Sequence, residues 1–137
     1  MSVSLPVSAF LLYSIAAAAF LVYVPFLVVA YGRLQAGYDM RSPRAIFDKL
    51  PPYAQRATWA HQNSFESFML FAAAALMAYV TQQDSLWALG AAIAYLVARL
   101  LFSLFYILNI PVARSLMFGI GTLCIATLMG LSLASVS

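Results

Sequence analysis

The sequence is poor in charged residues. Only 8% of its 137 residues are Asp, Glu, Lys or Arg, against roughly 25% in soluble domains. A soluble fold could not cover its surface with so few charges. Hydrophobic residues make up 65% of the chain, and the mean hydropathy is +0.94. The composition therefore excludes an ordinary soluble domain and predicts a single domain, residues 1–137, within a lipid bilayer.

Cysteine and histidine each occur once, which limits disulfide and metal chemistry. Cys124 cannot form an internal disulfide, and together with His61 it does not make a metal-ligand set, so we expect no metal site. The segment MSVSLPVSAF has no basic residue, so we expect the first hydrophobic run to be retained as a span. No basic patch interleaved with aromatic residues accompanies the net charge of +3, which argues against nucleic acid as a partner.

Four hydrophobic runs are long enough to cross a membrane, since about 20 helical residues span its ~30 Å core. They cover residues 7–31, 52–81, 85–108 and 111–134. The runs are rich in Ala and Leu and lack strand-like alternation, which indicates helices rather than barrel strands. The sequence therefore predicts an all-α integral membrane protein, a four-helix bundle in contact with membrane lipids.

The segment 32–51 is the only long link between these runs, and it carries most of the positive charge. Ser42 followed by Pro43 is typical of an N-cap and a first helical residue, so we expect a short interfacial helix over residues 43–49. The positive-inside rule places the first and third links in the cytoplasm and both termini on the other side. The basic residues in or beside those links are Arg33, Arg41, Arg44, Lys49, Arg56 and Arg114.

The second run begins with a polar segment, RATWAHQNSFESF, at residues 56–68. Trp59, Gln62, Asn63 and Glu66 are three or four residues apart, so we expect them on one helix face. His61 falls about 200° from Trp59 at ~100° per residue. We therefore expect His61 to lie off this face, in a packing, lipid-interface or inter-subunit position.

The third run places an arginine, Arg99, well inside the membrane. A buried arginine costs about 2.5–3.5 kcal/mol on insertion scales. Glu66 is the only acidic residue inside a run, so we expect it to pair with Arg99, within one subunit or between subunits. Such a pair can be a structural clamp alone. Further polar residues at the same end favour a site for a polar anionic ligand: Arg56, Gln62, Asn63, Tyr106, Asn109 and Arg114.

The chain resembles the membrane-associated proteins in eicosanoid and glutathione metabolism (MAPEG) in three segments: RATWAHQNSFESF, YLVARLLFSLFY and NIPVARSLMF. Order, spacing and four-helix layout match over about residues 8–134, and the NIPVARS segment is most similar to prokaryotic members. The resemblance implies a homotrimer that binds glutathione as co-substrate between neighbouring subunits at the cytoplasmic side. It also implies a transferase or peroxidase that acts on lipophilic electrophiles or hydroperoxides.

Residue roles follow from the same resemblance. Arg114 matches an arginine that stabilises the glutathione thiolate, a role that suits a cation at a helix N-terminus. Arg56 is one turn away from Trp59 and is expected to reach the ligand carboxylates. The other positions that match ligand-facing residues are Arg33, Asn63, Glu66, Arg99 and Tyr106.

Two departures from the family pattern keep other functions open. Trp59 stands where well-known glutathione-binding members have an arginine, and Gln62 stands where some have a second one. Both favour an alternative, a non-catalytic member that binds a lipid or a protein in the same cleft. A third alternative is a small exporter with a proton-coupled carboxylate at Glu66, although Arg99 beside it would keep that carboxylate ionised.

Overall fold

The computed structural model describes residues 5–137 as four long helices and one short 3-10 helix. All four long helices are long and apolar enough to cross a membrane, which confirms the predicted all-α, four-helix membrane fold. The long helices are α1 (Val7–Gln35), α2 (Pro52–Val80), α3 (Leu86–Ile107) and α4 (Pro111–Ser135), and the 3-10 helix, Pro43–Lys49, lies between α1 and α2.

Helix α1 continues one turn beyond the hydrophobic run, to Gln35. Gly32 is buried in this turn and lies so close to Ala54 of α2 that a Cβ on the glycine would overlap the alanine Cβ. The hydroxyl of Tyr53 also donates a hydrogen bond to Oε1 of Gln35. Contacts with α2 therefore extend α1 past the point where its hydropathy falls.

The 3-10 helix packs on the start of α2. Its Ile46, together with the adjacent Leu50, is buried against Ala54. Ser42 is the N-cap and Pro43 the first residue of this helix, as predicted; the backbone carbonyl of Ser42 accepts from the N–H of Ala45, and its hydroxyl makes no capping hydrogen bond. The 3-10 helix is thus held against α2 by its apolar side chains.

Small and aromatic residues fill the core at the end of the bundle away from the first link. The rings of Phe71 and Tyr95 stack 3.8 Å apart with their planes 1° from parallel. Alanines let the helices approach closely here, and those with buried side chains are Ala74, Ala75, Ala78, Ala88, Ala91 and Ala92. The polar side chains are consequently concentrated toward the end of the bundle formed by the first and third links.

Candidate functional site

Arg99 is buried in the bundle, with 4% of its surface exposed. Its Nη2 donates to Oδ1 of Asn63 at 3.0 Å and to Oγ of Ser64 at 3.1 Å. Its Cζ lies 4.0 Å from the ring centroid of Phe102. Within one chain, the cation is therefore held by neutral acceptors and by an aromatic face.

Glu66 lies apart from this network. It is exposed and is not among the hydrogen-bond partners that Arg99 has within residues 5–137. Instead it lines a cavity on the side of α2 that faces α1. Within one subunit, Arg99 therefore bonds to Asn63 and Ser64 and not to Glu66. A pair between Arg99 and Glu66 of neighbouring subunits stays a prediction.

The cavity, of about 700 Å³, lies between α1, the 3-10 helix and α2. This volume is within the ~300–1,000 Å³ of small-molecule sites. Its charged lining consists of Arg33 from α1, Arg44 from the 3-10 helix and Glu66 from α2. Neutral polar and apolar side chains complete the wall, among them Phe26, Phe47, Thr58, Trp59, His61, Gln62 and Phe65.

Arg33 is placed to receive an anion in this cavity. Its Nε is buried and has no hydrogen-bond partner within residues 5–137. Its Cζ lies 5.7 Å from the ring centroid of Phe26 and 6.0 Å from that of Tyr38. A buried donor without a partner is costly, so an acceptor from a ligand or a neighbouring subunit would stabilise this arginine.

Arg114 and Tyr106 form a second cluster at the same end of the bundle. Arg114 lies in the first turn of α4, and its Cζ is 4.5 Å from the ring centroid of Tyr106. The ring of Tyr106 is 6.5 Å from that of Trp59, which also lines the cavity. Trp59 is therefore the side chain at which the cavity and the second cluster meet.

Arg56 is not among the residues that line the cavity, and it connects α2 with α3 instead. Its Nε donates to the backbone carbonyl of Ile107 at 3.0 Å. That carbonyl lies at the end of α3, where helical carbonyls lack backbone donors. Arg56 thus joins the start of α2 to the end of α3, and its ligand role stays a prediction.

His61 packs against Val22, Tyr23 and Phe26 of α1, which agrees with the expected packing position off the polar face. It also lines the same cavity as Glu66, which was not expected. The cavity curves around α2, so it takes side chains from two adjoining helix faces. Asn63, which the spacing placed on the polar face with Trp59 and Glu66, does not line the cavity and accepts a hydrogen bond from Arg99 of α3.

Three side chains of this region escaped the sequence analysis as site residues: Arg44, His61 and Ser64. Pro25 inside α1 leaves the carbonyl of Leu21 without its helical donor, but His61 contacts the carbonyl of Val22 instead. The sequence therefore held no direct signal for these three side chains, since their roles depend on how the elements pack.

The arrangement suits an ionic organic ligand. Two cations and one carboxylate face a cavity whose wall is otherwise largely aromatic and aliphatic. Within the described residues, no group of three or more His, Cys, Asp or Glu side chains could hold a metal ion. The cavity therefore supports recognition of separated charges on one molecule.

The sequence model of the MAPEG family matches residues 10–134, nearly the whole chain. Comparison with curated proteins finds no match, and comparison with solved structures finds none either. The matched segment includes every predicted site residue, from Arg33 to Arg114.

Proposed function

Because the chain belongs to the MAPEG family, which includes glutathione-dependent transferases and peroxidases, we propose that it is a membrane-bound enzyme of this kind. Its second substrate is a lipophilic electrophile or hydroperoxide that arrives from the bilayer. The observation that carries the proposal is the cavity between α1 and α2, with Arg33, Arg44 and Glu66 in its wall.

The charges of this cavity complement those of glutathione. The ligand has two carboxylates and one ammonium, and the cavity offers two guanidinium groups, Arg33 and Arg44, and one carboxylate, Glu66. Charge-assisted hydrogen bonds are the stronger kind, and they strengthen further where water is excluded. The amide of Gln62 can both donate to and accept from the peptide groups of the ligand.

The remaining predicted ligand residues lie outside the cavity of their own chain. We propose a homotrimer in which the Arg114–Tyr106 cluster of one subunit closes the cavity of the next, with glutathione between them at the cytoplasmic side. A shared site accounts for the separation of these residues into two clusters within one chain.

The chemistry requires a thiolate. Arg114 is permanently cationic and lies in the first turn of α4, where the helix dipole adds positive potential, so it stabilises a nearby thiolate. The sulfur then forms a C–S bond with the electrophile while the leaving group departs with its electron pair. With a hydroperoxide, two glutathione molecules are oxidised to the disulfide, and the products are an alcohol and water.

A second candidate function is the binding of a lipid or a protein without catalysis. The observation that favours it is the exposed indole of Trp59 in the cavity wall. An aromatic surface between Phe47 and Tyr106 suits an acyl chain as well as it suits an electrophile.

The first experiment is calorimetric titration of glutathione into the detergent-purified protein. We expect saturable binding that weakens about tenfold or more in the Glu66→Gln variant, because the ligand ammonium loses a charged acceptor. The matched control is Asp84→Asn, the same change at the opposite end of the bundle, where Asp84 is exposed beside Gln83. This control should bind as the wild type does.

Absence of binding at millimolar glutathione would contradict the proposed function. If both variants weaken glutathione binding equally, the ligand does not bind in this cavity. If binding is found, conjugation of a lipophilic aryl halide and reduction of an organic hydroperoxide separate an enzyme from the non-catalytic alternative.

A further inference from the structure

His61 is fixed in one hydrogen-bonding orientation. Its Nδ1 lies 2.7 Å from the backbone carbonyl oxygen of Val22. A carbonyl only accepts hydrogen bonds, so Nδ1 must carry a proton and donate it. In the neutral ring, Nε2 is then the unprotonated nitrogen, with a lone pair free to accept a proton.

The surroundings of the ring keep this orientation. Val22 lies in the turn of α1 that precedes Pro25, and the missing N–H of that proline leaves the adjacent carbonyl, of Leu21, without its helical donor. Aromatic rings surround the imidazole on other sides, with centroid distances of 5.6 Å to Tyr23, 5.2 Å to Phe26 and 5.1 Å to Phe65. Nδ1 donates both in the neutral ring and in the imidazolium, so the ring can take up a proton on Nε2 without turning.

His61 also lines the cavity proposed for glutathione. The carboxylates of that ligand match Arg33 and Arg44, its ammonium matches Glu66, and its peptide groups match Gln62. The hydroxyl of Thr58 donates to the carbonyl of Ala54 at 2.9 Å and is thereby engaged within α2. Arg114 of the neighbouring subunit is proposed to stabilise the thiolate, but an arginine cannot take up the thiol proton. Among the groups in the described wall, Nε2 of His61 is the base not matched to another part of the ligand.

We propose that His61 is the base of this site and that its Nε2 accepts the proton of the glutathione thiol. The inference rests on the proposed function, because it requires glutathione in the cavity. The S–H bond breaks, its electron pair stays on sulfur, and an N–H bond forms on Nε2. Neutral thiol and neutral imidazole thus become thiolate and imidazolium, and the imidazolium later returns the proton to the leaving group or to water.

The charged groups in the wall of this cavity are Glu66 on α2, Arg33 on α1 and Arg44 on the 3-10 helix. Tyr23 is the one of the three aromatic neighbours of His61 that carries a hydroxyl. The imidazolium and the thiolate formed by the transfer have opposite charges and attract each other.

The test uses the fact that the sequence contains one histidine. Protein labelled with ¹⁵N-histidine in micelles gives a single pair of ring nitrogen resonances, which report where the proton lies. We expect a protonated Nδ1 and an unprotonated Nε2 in the free protein. Glutathione should shift Nε2 toward its protonated position, whereas S-methylglutathione, which has no thiol proton, should leave it in place.

A proton on Nε2 of the free protein would overturn the proposal, and so would identical shifts with the two ligands. Calorimetry on the same sample reads glutathione binding independently. If glutathione binds and is turned over while Nε2 does not respond, only the assignment of His61 fails. If glutathione does not bind, the proposed function fails and this inference fails with it.

A variant provides the kinetic counterpart. His61→Asn keeps an N–H donor at the Nδ1 position for Val22 and removes Nε2. Because general bases contribute about 10²–10⁴-fold, we expect kcat at neutral pH to fall about 100-fold or more with little change in KM for glutathione. Alkaline pH, which ionises the free thiol, should restore much of the rate. A uniform loss at every pH would overturn the role as base.

Discussion

A guanidinium inside a membrane helix requires acceptors, because hydrocarbon offers none. Arg99 obtains them from Asn63 and Ser64, two adjacent residues of α2. These bonds link α2 to α3 beside the proposed site. Their loss would leave a buried cation with fewer partners, which costs more than the loss of a neutral hydrogen bond.

We predict that Asn63→Ala lowers the free energy of unfolding by about 1–3 kcal/mol, the cost of an unsatisfied hydrogen bond to a charged group. In an Arg99→Leu background the same substitution should cost much less, because no buried cation remains. Reversible unfolding in mixed micelles measures both values. Thr122→Ala is the control, since its exposed hydroxyl bonds only to the carbonyl of Phe118 in its own helix. Equal costs in both backgrounds would contradict the role assigned to this hydrogen bond.

Among the helix pairs, α1 and α2 meet at one point of particularly close approach. Gly32 leaves no room for a side chain against Ala54. The contact lies beside the cavity, since Leu50 neighbours the same glycine and also lines the wall. The separation of these two helices there determines the width of the proposed site.

We predict that Gly32→Ala destabilises the protein by about 1–3 kcal/mol, the usual cost of overpacking. Gly119→Ala is the matched control, because a Cβ at Gly119 meets no atom within 4 Å. That change should be neutral or slightly stabilising, since alanine favours helix over glycine. Thermal unfolding monitored by circular dichroism compares the two variants. A control as unstable as Gly32→Ala would show that the close contact is not the cause.

The elements were more predictable than their contacts. The four helices could be predicted from the hydrophobic runs because insertion into a bilayer depends on length and apolarity. The end of α1 at Gln35 could not, because its last turn is formed by packing against α2. The sequence indicated that Arg99 is buried but not that Ser64 accepts from it. The packing position of His61 off the polar face was expected, but helical periodicity describes a single helix and so could not show the cavity or the contact with Val22 of α1.

For the whole molecule, the distribution of charge predicts an orientation. The first link contains the 3-10 helix and several exposed basic residues, whereas the link between α2 and α3 has none. By the positive-inside rule, the cavity then opens toward the cytoplasm, where glutathione is proposed to enter.

We predict that a cysteine at Ser42 reacts with a membrane-impermeant maleimide only from the cytoplasmic side, and that one at Asp84 reacts only from the opposite side. Both positions are exposed. The Cys124→Ser background removes the one native thiol, which is buried in α4. Labelling of intact cells and of inverted vesicles gives the comparison. The reverse pattern, or labelling of both positions from one side, would contradict the orientation.

The 3-10 helix has a consequence for how related chains can diverge. It contributes Arg44 and Phe47 to the cavity wall although it lies in a link and not in a span. Gln55 of α2 holds it through the backbone carbonyl of Phe47, at 3.2 Å, so this contact is independent of the side chain at position 47. Substitutions at positions 44 and 47 can therefore change which molecules fit while the spans keep the composition that insertion demands. Ligand preference can evolve in this short segment at little cost to the membrane fold.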